Sequence, residues 1–278
     1  MTILSFTLLL AMGSLLAGLL GSLTGLGGGV VIVPLLALGF GVDLRYAIGA
    51  SLVSVIATSS GAAAAYVTEG YSNVRIGMFL EVATTIGALC GAAIAPMMPT
   101  RAIAVIFGTV LIYGAFQSSQ PHPPHRISKR SDRLAAALRL NSCYPTATGP
   151  VEYQVIGVKR GFGLMWIAGA LSGLLGIGSG ALKVLAMDRT MRLPFKVSTT
   201  TSNFMIGVTA AASAGVYLSR GYIDPGLAMP ITLGVLVGSS IGARMLRTFS
   251  STWLRRVFVV VVSVLAIEMI YNGLAGRL

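Results

Sequence analysis

The chain has 278 residues, of which 55% are hydrophobic and 10% are charged, and its mean hydropathy is +0.84. These values exclude a soluble globular domain. The net charge of +12 is spread over short loops and forms no basic face, so we expect a lipid bilayer and no nucleic acid as a partner.

Apolar segments follow one another along the chain and predict an all-α integral membrane protein. In the first half they cover residues 3–24, 28–40, 44–66, 76–98 and 101–117. In the second half they cover residues 161–175, 179–188, 197–219, 226–248 and 253–275. A helical crossing needs about 20 apolar residues. Each half opens with two shorter arms around a cluster of glycines, which predicts a broken helix or hairpin without a net crossing.

The two halves are copies of one repeat. A shift of 151 positions aligns residues 15–113 with residues 166–264 without a gap and gives 20 identities, seven of them glycine. The clearest match pairs Gly25-Leu26-Gly27-Gly28-Gly29 with Gly176-Ile177-Gly178-Ser179-Gly180. Self-similarity of this length indicates an internal duplication.

A basic, proline-containing stretch separates the copies. We therefore divide the chain into a first transmembrane repeat (1–117), a cytoplasmic basic linker (118–160) and a second transmembrane repeat (161–278). Within the linker, Ser131 is a candidate cap for a short helix through Leu140, and residues 151–155 alternate as an edge strand does. Counting outward from a cytoplasmic linker places both termini outside and makes the two repeats inverted.

The paired glycine clusters are candidate anion sites. A helix that begins at a glycine turn inside a membrane presents free N–H groups and a positive dipole end to its surroundings. The alternative is that the glycines only permit close helix packing. The presence of two clusters at matched positions of the repeat favours the anion site. We assign to this site the backbone groups of Gly25, Gly27, Gly28, Gly29, Gly176, Gly178, Ser179 and Gly180.

Polar residues follow each cluster by about 20 positions within an apolar segment. Ser51 in the first copy and Ser202 in the second coincide under the repeat, and Thr201 and Asn203 flank Ser202. Hydroxyl and amide groups can donate hydrogen bonds to an anion. The alternative is that they bond to their own helix or to a neighbouring one.

Charged residues inside apolar segments are energetically costly and are therefore candidates for functional sites. Lys183 lies three residues after Gly180, where a cation strengthens an anion site, although it could also snorkel toward the following basic loop. We interpret Arg244 as an anchor at the cytoplasmic end of its segment. Glu81 and Glu268 are either proton sites or paired structural acids, and we favour the structural role. His122 and His125 lack metal-ligating neighbours, so we expect no metal, cofactor or catalytic group.

Three segments resemble the sulfite exporter TauE/SafE family, also called the toluene sulfonate uptake permease family. They are GLLGSLTGLGGGVVIVPLL at 18–36, LSGLLGIGSGALKVLAMD at 171–188 and PFKVSTTTSNFMIGVTAAASAGVYLSRGYIDP at 194–225. The resemblance covers nearly the whole chain, with Ser179 where the family pattern usually has glycine. It implies a transporter of small anions, often sulfur-containing ones such as sulfite or sulfonates.

We therefore expect a multi-pass secondary transporter or permease for a small anion in the inner membrane, and a homo-oligomer is compatible with this expectation. The alternatives are a membrane-embedded enzyme and an assembly factor without transport activity. An enzyme would need a polar catalytic cluster, and the sequence shows none. An assembly factor would need a docking domain, and only the short linker is available.

Overall fold

The computed structural model describes residues 3–24, 28–68, 72–119, 132–146, 149–245 and 251–277. In this part of the chain the fold is helical apart from one two-stranded hairpin. The helices of the first copy are α1 (Ile3–Thr24), α2 (Gly29–Pro34), α3 (Leu44–Thr68), α4 (Val74–Ile94) and α5 (Thr100–Ser119). Those that follow are α6 (Arg133–Ala137), α7 (Val158–Leu175), α8 (Gly180–Leu185), α9 (Phe195–Ser219), α10 (Pro225–Met245) and α11 (Ser251–Ala275).

The helix boundaries repeat with the spacing found in the sequence. Adding 151 to the first residues of α2, α3, α4 and α5 (29, 44, 74 and 100) gives those of α8, α9, α10 and α11 (180, 195, 225 and 251). A π-helical turn extends each short helix, Leu35–Gly39 after α2 and Ala186–Thr190 after α8. The predicted apolar segments agree with these helices to within a few residues, because both arms of each break are marked by glycine in the sequence.

The two copies are packed into each other. Helix α1 packs against α10, and its counterpart α7 packs against α4; α3 packs against α9, and α5 against α11. Glycines permit the closest of these crossings. A side chain on Gly87 would overlap the carbonyl oxygen of Trp166, and one on Gly238 would overlap that of Leu15. These two contacts correspond to each other under the 151-residue shift, so packing explains this part of the glycine content.

Large apolar side chains point outward from the bundle. On α4, Met78 is 63% exposed and is followed by the exposed Val82 and Ile86; on α10, their counterparts are Met229, which is 67% exposed, Leu233 and Val237. The interior contains hydroxyls and charges, which are considered below. Such an extensive exposed apolar surface is unusual for a soluble protein and suits a hydrocarbon surrounding.

By length and apolarity alone, two helices in the described part can cross a bilayer, Val74–Met97 and Thr100–Gln117. Four shorter apolar helices accompany them, at Ser5–Gly21, Gly29–Gly39, Pro225–Ile241 and Val259–Ala275.

The linker contains a small folded insert. Helix α6 is followed by strands β1 (Ser142–Thr146) and β2 (Gly149–Tyr153), which pair antiparallel. The cap of α6 is the side chain of Asp132, which accepts from the Leu134 amide at 3.3 Å. The predicted cap, Ser131, lies outside the described residues. The helix ends at Ala137 and not at Leu140, and the strand begins two residues earlier than predicted, because the hairpin partner sets its bounds.

The insert packs onto the helical bundle. Leu140, Tyr153 and Val155 share a buried apolar cluster with α4, α7 and α9. Asn73, the N-cap of α4, donates to the carbonyl of Leu140 at 3.1 Å and to the Tyr153 hydroxyl at 2.7 Å. Burial raises the pKa of Tyr153, which keeps this phenol neutral in the contact. The linker is therefore not a free tether between the two copies.

Candidate functional site

The second helix break is built from left-handed backbone. Helix α7 ends at Leu175, and the φ angles of Gly176, Gly178 and Ser179 are +68°, +69° and +44° before α8 begins at Gly180. Glycine adopts this region freely, which explains the glycines. Ser179 adopts it with a Cβ atom and is therefore strained.

The first break is described from Gly28 onward, and Gly25 and Gly27 lie outside the described residues. The carbonyl of Gly28 accepts from the amides of Val31 and Ile32, each at 3.1 Å, and so starts α2. The structure places the start of α2 at the glycine cluster, as the sequence predicted.

The two breaks meet in the interior. A Cβ atom added to Gly29 would lie 2.6 Å from Ser51 Oγ and 3.0 Å from the carbonyl oxygen of Gly176. The side chain of Val55 approaches both breaks, since it would crowd a Cβ atom on Gly29 or on Gly178. We call this meeting point of Gly28–Gly29 and residues 176–180 the crossing.

Two of the predicted hydroxyl donors bond to the crossing itself. Ser51 donates to the carbonyl of Gly176 at 2.9 Å, and Ser202 donates to that of Gly180 at 3.4 Å. Thr201 accepts from the backbone amide of Asn73 at 3.1 Å, and Asn203 is half-buried on α9. Most neighbouring hydroxyls bond to carbonyls of their own helix: Ser54, Thr58, Ser59, Ser60, Thr199 and Thr200.

A small groove of about 30 Å³ opens beside the crossing, between the breaks and helices α5 and α11. Ser179, Gly180 and Tyr113 line it. The remaining walls are apolar: Val30, Val110, Leu111, Ile177, Leu182 and Val262. The Ser179 hydroxyl is buried and has no hydrogen-bond partner within the described chain. An unsatisfied buried hydroxyl is costly unless a ligand or water completes it.

A buried acid and base lie near the crossing. Lys183, on α8, is 0% exposed, and its Nζ donates to Thr209 Oγ1 at 2.6 Å. The Thr209 hydroxyl in turn lies 2.7 Å from Glu81 Oε1, on α4. Lys183 therefore does not snorkel to the basic loop, and that alternative is wrong. The ammonium is turned inward because α8 lies inside the bundle and its lysine faces α9.

The other intramembrane charges lie apart. Glu268 is exposed on α11, and the side chain of Arg244 is outside the part that the structure describes, as are His122 and His125. The sequence alone gives Glu81 either a proton-binding or a structural role and names no partner for it. It also does not single out Thr209, although the identity of Thr209 and Thr58 under the repeat is a signal that could have done so.

Basic side chains gather on one surface of the molecule, which corrects the expectation from the sequence that the positive charge forms no basic face. Arg133, Lys159, Arg160, Arg189 and Arg192 line an open groove between α6, the start of α7 and the turn after α8. The apolar side chains of Leu164, Trp166 and Ile167 continue this groove along α7.

Comparison with known proteins places these features in a family context. Residues 10–269 match the family model described as "Sulfite exporter TauE/SafE". The chain is 27% identical to "Probable membrane transporter protein YunE" of Bacillus subtilis (strain 168), over 97% of this chain and 99% of that protein.

Proteins of other organisms are also similar to this chain. A "Probable membrane transporter protein" of Xylella fastidiosa (strain 9a5c) is 26% identical over 99% of both chains. "Probable membrane transporter protein MJ0441" of Methanocaldococcus jannaschii is 24% identical over 94% of both. No solved structure matches the chain.

Proposed function

Because the chain belongs to the sulfite exporter TauE/SafE family, and is thus a membrane transporter and not an enzyme, we propose that it is a secondary transporter for a small anion. The anion contains sulfur, as sulfite or a sulfonate does. The observation that carries this proposal is the meeting of two helix breaks beside a groove that holds a buried, unpartnered hydroxyl, that of Ser179.

The anion binds at the crossing in this proposal. We assign to it the backbone N–H groups of Gly28, Gly29, Gly178, Ser179 and Gly180, and, from the sequence alone, those of Gly25 and Gly27. The Gly176 N–H, which the sequence also assigned to the site, instead donates to the carbonyl of Ser172 at 2.8 Å and ends α7. Successive N–H groups in turns of this kind form concave anion sites without a charged side chain. Lys183 lies one turn along α8 from Ser179, to whose carbonyl its own amide donates at 3.1 Å, and contributes positive charge.

Side chains complete the site when the anion enters. Ser51 and Ser202 exchange their bonds to break carbonyls for bonds to the anion, and Thr201 and Asn203 line the same part of α9. Such an exchange couples ligand binding to a change in the breaks, which is the event that alternating access requires.

The orientation is also part of the proposal. The basic groove lies in the cytoplasm of a multi-pass inner-membrane protein, since short loops rich in lysine and arginine remain on that side. The two repeats are then inverted, and the reciprocal packing of α1 on α10 and α7 on α4 supports a two-fold relation between them.

Flux through the purified, reconstituted chain tests the function. Proteoliposomes are loaded with one anion and offered another from a panel of sulfite, sulfate, thiosulfate, sulfoacetate and acetate. We expect exchange of at least one sulfur-containing anion, and none of potassium or glucose. Transport of a cation alone, or no flux of any panel anion with folded protein present, would contradict the proposal.

A further inference from the structure

The acid, hydroxyl and base of the interior form one connected chain. Lys183 Nζ lies 2.6 Å from Thr209 Oγ1, which lies 2.7 Å from Glu81 Oε1. The three residues come from α8, α9 and α4, so the chain joins the two repeats. Both charged side chains are buried, Lys183 at 0% and Glu81 at 8% exposure. The cluster thus holds two opposite charges inside the bundle, bridged by the Thr209 hydroxyl.

Glu81 has no other charged neighbour to compensate it in the described chain. Lys183 is the one charged group that acts on it, and Thr84, Thr85 and Thr209 supply the hydroxyls around it. Other basic groups on the elements packed against α4 face away. Lys159 and Arg160 of α7 line the basic groove, and Lys196 at the start of α9 is exposed.

One oxygen of the Glu81 carboxylate accepts no hydrogen bond in the described structure. Oε1 accepts from Thr209 at 2.7 Å and from Thr85 at 3.2 Å, whereas Oε2 is buried with no hydrogen-bond partner in the described structure. A carboxylate oxygen that is removed from water and left unbonded is where a proton binds with least loss of existing contacts.

We infer that Glu81 is the proton-binding site of the transporter and that its protonation makes the Lys183 ammonium available to the anion. In the resting state Lys183 and Glu81 carry opposite charges and sum to zero. A proton from water binds Glu81 Oε2, the cluster gains one positive charge, and an incoming anion at the crossing balances it. Lys183 keeps its proton in this cycle because the bound anion replaces Glu81 as its counter-charge. This inference rests on the proposed anion transport, and it adds that one proton accompanies each cycle.

Only one of the two repeats contains this cluster. The positions that correspond to Glu81, Lys183 and Thr209 are Thr232, Ile32 and Thr58. Ile32 is buried and apolar, and the Thr232 hydroxyl is buried without a partner. Within the described residues the duplicated scaffold therefore supplies one such cluster, and we expect one proton to be transported with each anion.

The test measures proton movement together with anion movement in proteoliposomes of the full chain. Thiosulfate and sulfoacetate are the probes, because neither carries a titrating proton near neutral pH. For the wild type we expect uptake to acidify the lumen, which an enclosed pH dye reports. The apparent affinity should weaken by up to about tenfold for each pH unit of increase, the limit for linkage to one proton.

Glu81→Gln separates coupling from transport. This variant mimics the protonated acid, so we expect it to retain anion exchange at equal pH, with an affinity that no longer depends on pH, and to lose lumen acidification. Thr209→Val is the second variant if Glu81→Gln does not fold, and it should blunt the pH dependence. Glu268→Gln is the matched control, since it removes an exposed acid on α11, and it should behave as the wild type.

Two results would overturn the inference while leaving the transporter assignment intact. One is anion exchange by the wild type without any proton movement. The other is Glu81→Gln acidifying the lumen as the wild type does. Absence of exchange for every anion at equal pH is a different result, because it contradicts the proposed function itself.

Discussion

At the scale of single residues, the buried Lys183 ammonium is the most unusual feature of the interior. Removing an ammonium and a carboxylate from water costs several kcal/mol for each ion, and their attraction offsets this cost only with good hydrogen bonding. Thr209 provides that bonding to Lys183 and Glu81 at once. A transporter gains from such a pair because each partner can be released when a ligand or proton replaces the other.

Replacing the lysine tests its role in binding. Lys183→Gln should weaken apparent anion affinity by about tenfold, which corresponds to about 1.4 kcal/mol of lost charge-assisted interaction. It also leaves Glu81 buried without its cation, so the melting temperature in detergent should fall. Lys183→Arg should be milder in both respects. Equilibrium binding of radiolabelled thiosulfate and a detergent melting curve provide the two measurements.

A second substitution separates these effects. Glu81→Gln combined with Lys183→Gln removes both charges, so thermal stability should return toward the wild-type value while anion affinity stays low. If affinity is unchanged in Lys183→Gln, the lysine serves only as the partner of Glu81 and does not reach the anion.

The sequence alone could place Lys183 near a break but could not place Glu81 beside it. The glycines at 176, 178 and 180 predict the turn, because glycine adopts left-handed backbone conformations freely. This preference is a property of the local sequence. The pairing of Glu81 with Lys183 depends on how α4 of one copy packs against α9 of the other. No local pattern encodes that contact, and for the same reason the sequence left open the alternative that Lys183 snorkels toward the basic loop.

At the scale of helices, close backbone approach at glycine organises the bundle. Along α7, Gly169 and Gly173 lie directly against the backbone of α4, at the carbonyls of Thr84 and Ala88. Gly163, on the same helix, has nothing within 4 Å of the position where a Cβ atom would lie. One helix therefore provides both a tight and an open glycine, which allows a matched comparison.

Alanine substitution should distinguish these positions. Gly173→Ala should destabilise the protein by about 1–3 kcal/mol, because its methyl group would force α7 away from the backbone of α4. Gly163→Ala should be neutral or slightly stabilising, because alanine favours a helix more than glycine does. Thermal unfolding in detergent measures both. Equal melting temperatures for the two variants would show that the α4 contact is not close.

The helix boundaries were the most predictable part of the fold. The prediction for α9 was 197–219 and the helix is Phe195–Ser219, because its apolar run is long and Pro194 marks the start. The linker helix was less predictable. Its cap and end were misassigned because short elements depend on the surface on which they pack, here the cluster around Leu140 and Tyr153.

At the scale of the whole molecule, the folded insert and the basic groove define one face. Cys143 lies on β1 of the insert and is exposed, whereas the second cysteine, Cys90, is partly buried on α4. The chain thus contains a natural reporter for the side of the membrane on which the insert lies.

Labelling of Cys143 tests the orientation. In a Cys90→Ser background, an impermeant maleimide should not label intact cells and should label inverted membrane vesicles, because the basic face is expected in the cytoplasm. Cys143→Ser in the same background is the negative control, because it removes the labelled thiol. Strong labelling of intact cells would contradict the cytoplasmic placement of the insert and reverse the proposed orientation.

The reciprocal packing of the copies has a consequence for biosynthesis. Helix α1 is made first, yet its partner α10 begins at Pro225, about 200 residues later. At roughly 5–20 residues per second, the ribosome needs on the order of 10–40 s to supply that partner. During this interval the face of α1 that carries Gly18 has no backbone to close against. The nascent first half must therefore be held in the membrane, by lipid or by the insertion machinery, until the second half arrives.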